Sequence, residues 1–168
     1  MRRTLALFAS SLVLWALVTQ LNDALAGARV YLFAGALFVA FAALTQPHGA
    51  GLAATILGGL VCDAHAPVAF GLHALLFAAA HLALFRIRDR VPRGDNASAI
   101  VVVLLTNLAL FLMFSFTQIS ASPVPAAIWP RLIADLVCSQ VFLAVITPWF
   151  FALQAGALKL ARVNRFDA

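Results

Sequence analysis

The chain has 168 residues, 64% of them hydrophobic and only 10% charged, with a mean hydropathy of +1.02. Soluble domains carry about 25% charged residues, so these side chains cannot cover a water-facing surface, and the composition points to an integral membrane protein. Eleven Lys and Arg oppose six acids, all of them Asp, for a formal net charge of +5; in such a chain the excess reads first as membrane topology and not as nucleic-acid binding.

Six apolar segments follow in chain order, and they predict an all-α integral membrane fold. It forms one polytopic domain over residues 1–168, a compact bundle of six transmembrane helices at about 4–21, 29–45, 49–63, 67–86, 98–118 and 130–158. Crossing a hydrocarbon core of about 30 Å takes roughly 17 to 25 helical residues, so the first three segments suffice only with their flanking Thr, Gln, Gly and Ala. The third is the shortest: Gly49 to Asp63 reaches about 22 Å at 1.5 Å per residue. A re-entrant hairpin with the fourth segment would also accommodate it. Arg2-Arg3, the apolar stretch to Val18 and Ala24-Leu25-Ala26 before Gly27 also fit a secretory signal peptide. Cleavage at Ala26-Gly27 would leave five helices, whereas a retained first helix gives six.

Threading six helices puts Arg2, Arg3, the cluster Arg86, Arg88, Arg90 and Arg93, and Lys159, Arg162 and Arg165 on one side, leaving Arg29 and Arg131 on the other. The positive-inside rule makes the first side cytoplasmic, both termini included. In the outer loop Ser122-Pro123-Val124-Pro125 is expected to be extended, with Trp129 at interface depth and Pro130 in the first turn of the sixth helix. Pro148 within that helix predicts a bend.

The third segment carries a stripe. Gly51, Thr55, Gly59 and Asp63 recur at i, i+4 steps that drift about 40° each, a line with almost no side chain until the carboxylate. Small residues let a neighbouring membrane helix approach backbone to backbone, so Gly51, Thr55 and Gly59 are the expected packing seam.

Few side chains could carry chemistry. Asp63 and His65 could form a proton or metal site, or Asp63 could organise the turn before Pro67 by accepting backbone hydrogen bonds. His73 and His81 lie about 80° apart in helical projection, unlike an i, i+4 ligand pair, and read better as helix contacts. Arg131 and Asp135 are spaced for an intrahelical ion pair near the outer interface, and Asn107 for a bond to a neighbouring helix. Cys62 and Cys138 lack redox spacing, though a disulfide between them stays open. There is no zinc-protease, nucleophile-elbow, phosphate-loop or dinucleotide motif, so no enzyme activity, cofactor or metal is expected.

The run Gly59-Leu-Val-Cys-Asp63, seven residues, Gly71-Leu-His-Ala-Leu75, and then the basic turn Arg86-Ile-Arg-Asp-Arg90 resembles the rod shape-determining protein MreD family. The resemblance covers the general layout of the chain, with its specific signal in residues 58 to 75. His65, Pro67 and His73 depart from many relatives. It implies a non-catalytic protein of the bacterial inner membrane, acting in cell-shape maintenance and peptidoglycan elongation. MreC would be the direct partner, with MreB and RodA with its transpeptidase in the same machinery, and Gly59, Asp63, Gly71 and Leu75 would form the family motif at a helix junction. Arg86, Arg88, Arg90 and Arg93 would hold anionic lipid head groups or an acidic cytoplasmic partner, or serve topology alone.

The rival expectation is a substrate-binding S-component of an energy-coupling-factor vitamin transporter, a similar six-helix fold. It calls for a cavity of several hundred Å³ near the outer face, ringed by Asp63, His65, His73, Trp129, Arg131 and Asp135. An intramembrane enzyme would need polar side chains converging in mid-membrane, which the spacing does not provide.

Overall fold

The structure, a computed structural model, describes residues 2–66, 69–92, 95–120 and 129–160. Pro67, Arg93, the Ser122 to Pro125 segment, Arg162 and Arg165 lie outside the described residues. Six α-helices follow in order: α1 (Arg2–Leu25), α2 (Gly35–Thr45), α3 (His48–His65), α4 (Leu72–Ile87), α5 (Asn96–Ser120) and α6 (Trp129–Leu160). Single 3-10 turns extend α1 at Ala26–Ala28 and α4 at Arg88–Arg90. No strand occurs among the described residues. Three helices, α1, α5 and α6, are long and apolar enough to cross a membrane.

The second helix is the core of the bundle. Its sequence, Gly-Ala-Leu-Phe-Val-Ala-Phe-Ala-Ala-Leu-Thr, is apolar on every side, and a helix of that kind has no face to offer water. All residues from Ala36 to Ala43 are buried, wrapped mainly by α3, α4 and α5. Phe41 meets Phe150 and Phe151 of α6 edge-on, at ring separations of 6.1 and 5.3 Å. α3 and α4 form the closest pair, α1 lies against α3, and α5 against α6.

The polarity of α6 runs opposite to that of a soluble helix. Its inward face holds Asp135, Ser139, Thr147 and Gln154 beside Leu132, Leu143, Phe150 and Leu158, whereas Ile133, Val137, Val141, Val145, Trp149 and Leu153 stand exposed on the outer face. Apolar side chains cost nothing against lipid tails, while polar ones need partners inside the bundle. The helix continues without interruption through Pro148.

Three expected boundaries move. The second helix begins at Gly35 and not near residue 29, because side chains of α1 and α6 bond the backbone of Tyr31, Leu32 and Phe33 in a non-helical arm, described below. The fourth begins at Leu72 and not near residue 67: Gly71 has φ +97°, outside the helical region. The first helix runs past residue 21 to Leu25, where a 3-10 turn ends at Arg29 in the left-handed region, φ 56°.

α5 starts at a polar cap. Asp95 accepts hydrogen bonds from the Ala97 and Ser98 amides at 3.1 and 3.0 Å and from the Ser98 hydroxyl, so its side chain serves otherwise unpaired first-turn donors. Those bonds, the Ser98 hydroxyl foremost, hold the Asp95 carboxyl below its ordinary 3.8. A carboxyl depressed in the folded state contributes stability above its unfolded value and loses it as pH falls through the folded one. The protection of the Ala97 and Ser98 amides, taken relative to the intrinsic exchange rate at each pH, should therefore hold down to the ordinary value of 3.8 and fall only at lower pH. In Asp95→Ala it should be low at neutral pH as well.

Candidate functional site

Two constructions meet at one end of the bundle. The first is the α3–α4 junction. Asp63, its side chain fully buried, ends the small-residue stripe and serves α4: Oδ1 accepts the His73 amide at 2.8 Å and Oδ2 the Ala74 amide at 3.1 Å. The His73 ring also places Nδ1 2.8 Å from Oδ1. One carboxylate thus supplies the cap that Gly71, without a side chain, cannot supply to the unpaired N–H groups of α4's first turn. Close approach makes this possible, since a Cβ on Gly59 would lie 2.5 Å from the Ala74 Cα and 2.7 Å from its nitrogen. Gly51 sits equally tightly farther along the stripe, where a Cβ would be 2.7 Å from His81 Cε1 and 2.9 Å from the Ala42 carbonyl oxygen. Thr55 between them is buried and donates to the Gly51 carbonyl at 2.7 Å. Leu75 points outward, 67% exposed.

The second construction is the arm before α2. Non-helical backbone at membrane depth survives only where its polar groups find partners within the protein. Three side chains provide them. Asn22 of α1 accepts from the Leu32 amide at 2.7 Å and donates to the Leu32 carbonyl at 3.0 Å, forming a closed pair. Asp135 accepts the Tyr31 amide at 2.8 Å, and Ser139 accepts the Phe33 amide at 3.0 Å. Arg131 reaches the other Asp135 oxygen at 3.9 Å, so the expected pair exists with backbone as its third member. Asp135→Ala should cost about 1–3 kcal/mol by leaving the Tyr31 amide without its acceptor, read as a lower melting temperature in detergent. Asp135→Asn, which keeps an acceptor oxygen, should lose less.

Between the arm, the far half of α1, the α3–α4 junction, α5 and α6 lies a cavity of about 800 Å³. α1 lines it with Ser11, Trp15, Val18 and Asn22, spaced as one helical face. Opposite stand Phe111 and Phe114 of α5 and Arg131, Leu132 and Asp135 of α6, with Tyr31 and Phe33 of the arm. Of the six ring residues expected from the sequence, His65, His73, Arg131 and Asp135 line it. Asp63 instead sits behind His73, and Trp129 is not part of the wall. His65 packs its ring 4.5 Å from Trp15, and His73 stacks on Phe114 at 4.2 Å.

The remaining candidates lie elsewhere. His81 is wholly buried between Thr55, whose hydroxyl is 3.4 Å from its Nδ1, and the rings of His48 and Phe85. It does not meet His73, and no group of three or more His, Cys or Asp arranged to hold a metal occurs among the described residues. Cys62 and Cys138 are both free thiols. Asn107 is fully buried in α5 with neither amide atom hydrogen-bonded, so the expected bond to a neighbouring helix is not made. In the basic turn Arg86 and Arg90 are exposed, while Arg88 lies 4.0 Å over the Phe85 ring and donates to the Gln46 carbonyl at 3.4 Å.

Sequence reasoning missed Asn22 and Ser139. The signal for Ser139 was present, because Arg131, Asp135 and Ser139 recur at i, i+4, i+8 and form one polar line on an apolar helix. Asn22 had only its polarity to mark it.

Comparison of the chain with protein-family models, with curated proteins and with solved structures finds no match to any of them. The fold therefore defines the class by itself: an all-helical protein carrying three helices able to cross a membrane.

Proposed function

We propose that the chain is a six-pass, non-catalytic scaffold of the bacterial inner membrane with both termini cytoplasmic, acting in cell-shape maintenance as the MreD family does. Partners bind its helix faces. The observation that carries the reading is the disposition of the motif: Gly59 and Asp63 are committed internally to joining α3 to α4, and Gly71 supplies the turn between them. That leaves the outward helix surfaces and the exposed Arg86 and Arg90 as the parts able to meet other molecules.

Six crossings are supported by lengths and ends. α2 alone covers about 16 Å, and the non-helical arm before it lengthens the segment toward the thickness of a hydrocarbon core. α3 and α4, of 18 and 16 residues, reach about 27 and 24 Å. The arm bonds to Asp135 at one end of α2, and Arg88 bonds to Gln46 at its other end. Arg29 and Arg131 thus gather opposite the basic turn, as six-helix threading with the positive-inside rule requires.

Crosslinking in native membranes from cysteines along α1, α4 and α6 tests the role. Capture of MreC, together with loss of rod shape on deletion of the gene, supports it; rod shape kept after deletion, or capture of an ATPase complex, defeats it.

The cavity favours a second reading, a small-molecule carrier of the S-component type, since its volume lies within the range of ligand sites. We rank it second because much of the wall's hydrogen-bonding capacity is already used: Asn22 and Asp135 hold the arm, and His73 Nδ1 faces Asp63. A vitamin that co-purifies with the protein together with an ATPase partner would reverse the order.

A further inference from the structure

We infer that the cavity beside the arm is a binding site for an organic cation, a protonated amine or quaternary ammonium joined to an apolar body.

The first argument is charge placement. The chain as a whole is basic, with a formal charge of +5 and only six acids. Asp23 and Asp135 line the cavity, against Arg131 as the one Arg or Lys of its wall, and Asp63 stands behind the wall, held by His73. The lining therefore carries a formal charge of −1 on a chain whose net charge is +5. Within a wall of low dielectric such an imbalance attracts a positive ligand and disfavours a negative one.

The second argument is the surface the ligand would meet. Trp15, Tyr31, Phe33, Phe77 and Phe114 contribute aromatic rings to the wall, and ring faces are electron-rich, favouring cations over anions of the same shape. His73 adds an acceptor. Its Nδ1 is held 2.8 Å from Asp63 and its side chain is 12% exposed, so the open edge of the ring carries Nε2, and a proton on Nδ1 leaves that nitrogen free to accept an ammonium N–H. Asp23, exposed and close to Asn22 on the α1 wall, has no structural duty comparable to that of Asp135.

The test uses the full chain in uncharged dodecyl maltoside micelles, with Trp129→Phe and Trp149→Phe leaving Trp15 as the only tryptophan. Tetraphenylphosphonium and tetraphenylborate have the same shape and opposite charge. The expected result is saturable quenching of Trp15 by the phosphonium only, weakened about fivefold to tenfold by Asp23→Asn and abolished by filling the cavity with Ser115→Phe and Val18→Phe together. Asp23 bears no packing load, so its variant reports on binding even where the filled variant folds poorly. Adding phosphatidylethanolamine to the micelles separates two sources of the same chemistry: competition with the phosphonium that an uncharged diacylglycerol does not reproduce identifies the lipid ammonium as an occupant, and unchanged binding points to a soluble cation. Absence of saturable phosphonium quenching, equal binding of the borate, or indifference to Asp23→Asn overturns the inference.

Discussion

Gly59→Leu is expected to be the most damaging single substitution at the helix seams, costing about 3 kcal/mol or more. A Cβ at this position would lie 2.5 Å from the Ala74 Cα, and what it meets is backbone, which cannot rotate away as a side chain can. α3 and α4 must separate, and the Asp63 bonds to His73 and Ala74 lengthen with them. Gly59→Ala should already cost about 1–3 kcal/mol. Gly156 is the control: it also lies in a helix, but a Cβ there meets nothing within 4 Å, so Gly156→Ala should be neutral or stabilising by up to about 1 kcal/mol. Thermal unfolding in detergent measures the contrast. Equal melting temperatures for the two alanine variants would mean that the seam is looser than its backbone spacing indicates.

Asp63→Ala should follow closely, at about 3 kcal/mol. The substitution removes the acceptor for two amides and an imidazole in a buried setting, and each unpaired donor costs about 1–3 kcal/mol, less whatever water can recover. Asp63→Asn should fall between, because one oxygen remains while the new amide group confronts a backbone N–H that needs an acceptor. The signature is local as well as global: in both variants the His73 and Ala74 amides should exchange faster than those in the middle of α5. Unchanged protection at these two amides would show that the carboxylate is not their partner in solution.

What the sequence disclosed, and what it withheld, follows from the range of the forces involved. The stripe Gly51, Thr55, Gly59 is legible because helical spacing alone puts three small residues on one line, and the structure buries all three. Asp63 reads from the sequence as an acceptor for the turn before Pro67; the amides it accepts belong instead to His73 and Ala74, ten and eleven residues on in the first turn of α4. The arm was not legible. Val30, Tyr31, Leu32 and Phe33 are apolar and continue the hydrophobic run of α2, so a hydropathy window extends the helix through them. What holds them out of the helix is Asp135 and Ser139, 104 and 106 residues away, and no local pattern records a partner at that distance. The cavity escapes for the same reason, since its walls come from all six helices and the arm, and a sequence shows where side chains stand along a helix but not where helices fail to touch.

The arm also sets a schedule for the chain's birth. Its Tyr31 and Phe33 amides leave the ribosome long before Asp135 and Ser139 exist, and at about 5–20 residues per second the wait for a partner 104 residues later is roughly 5–20 s. During that interval the nascent α2 has neither acceptors for these two donors nor the α6 rings that cover Phe41. The first half of the protein must therefore wait in the shelter of the insertion machinery, or with water at the arm, and a truncation ending before α6 should be recognised by quality-control proteases as an unfinished chain.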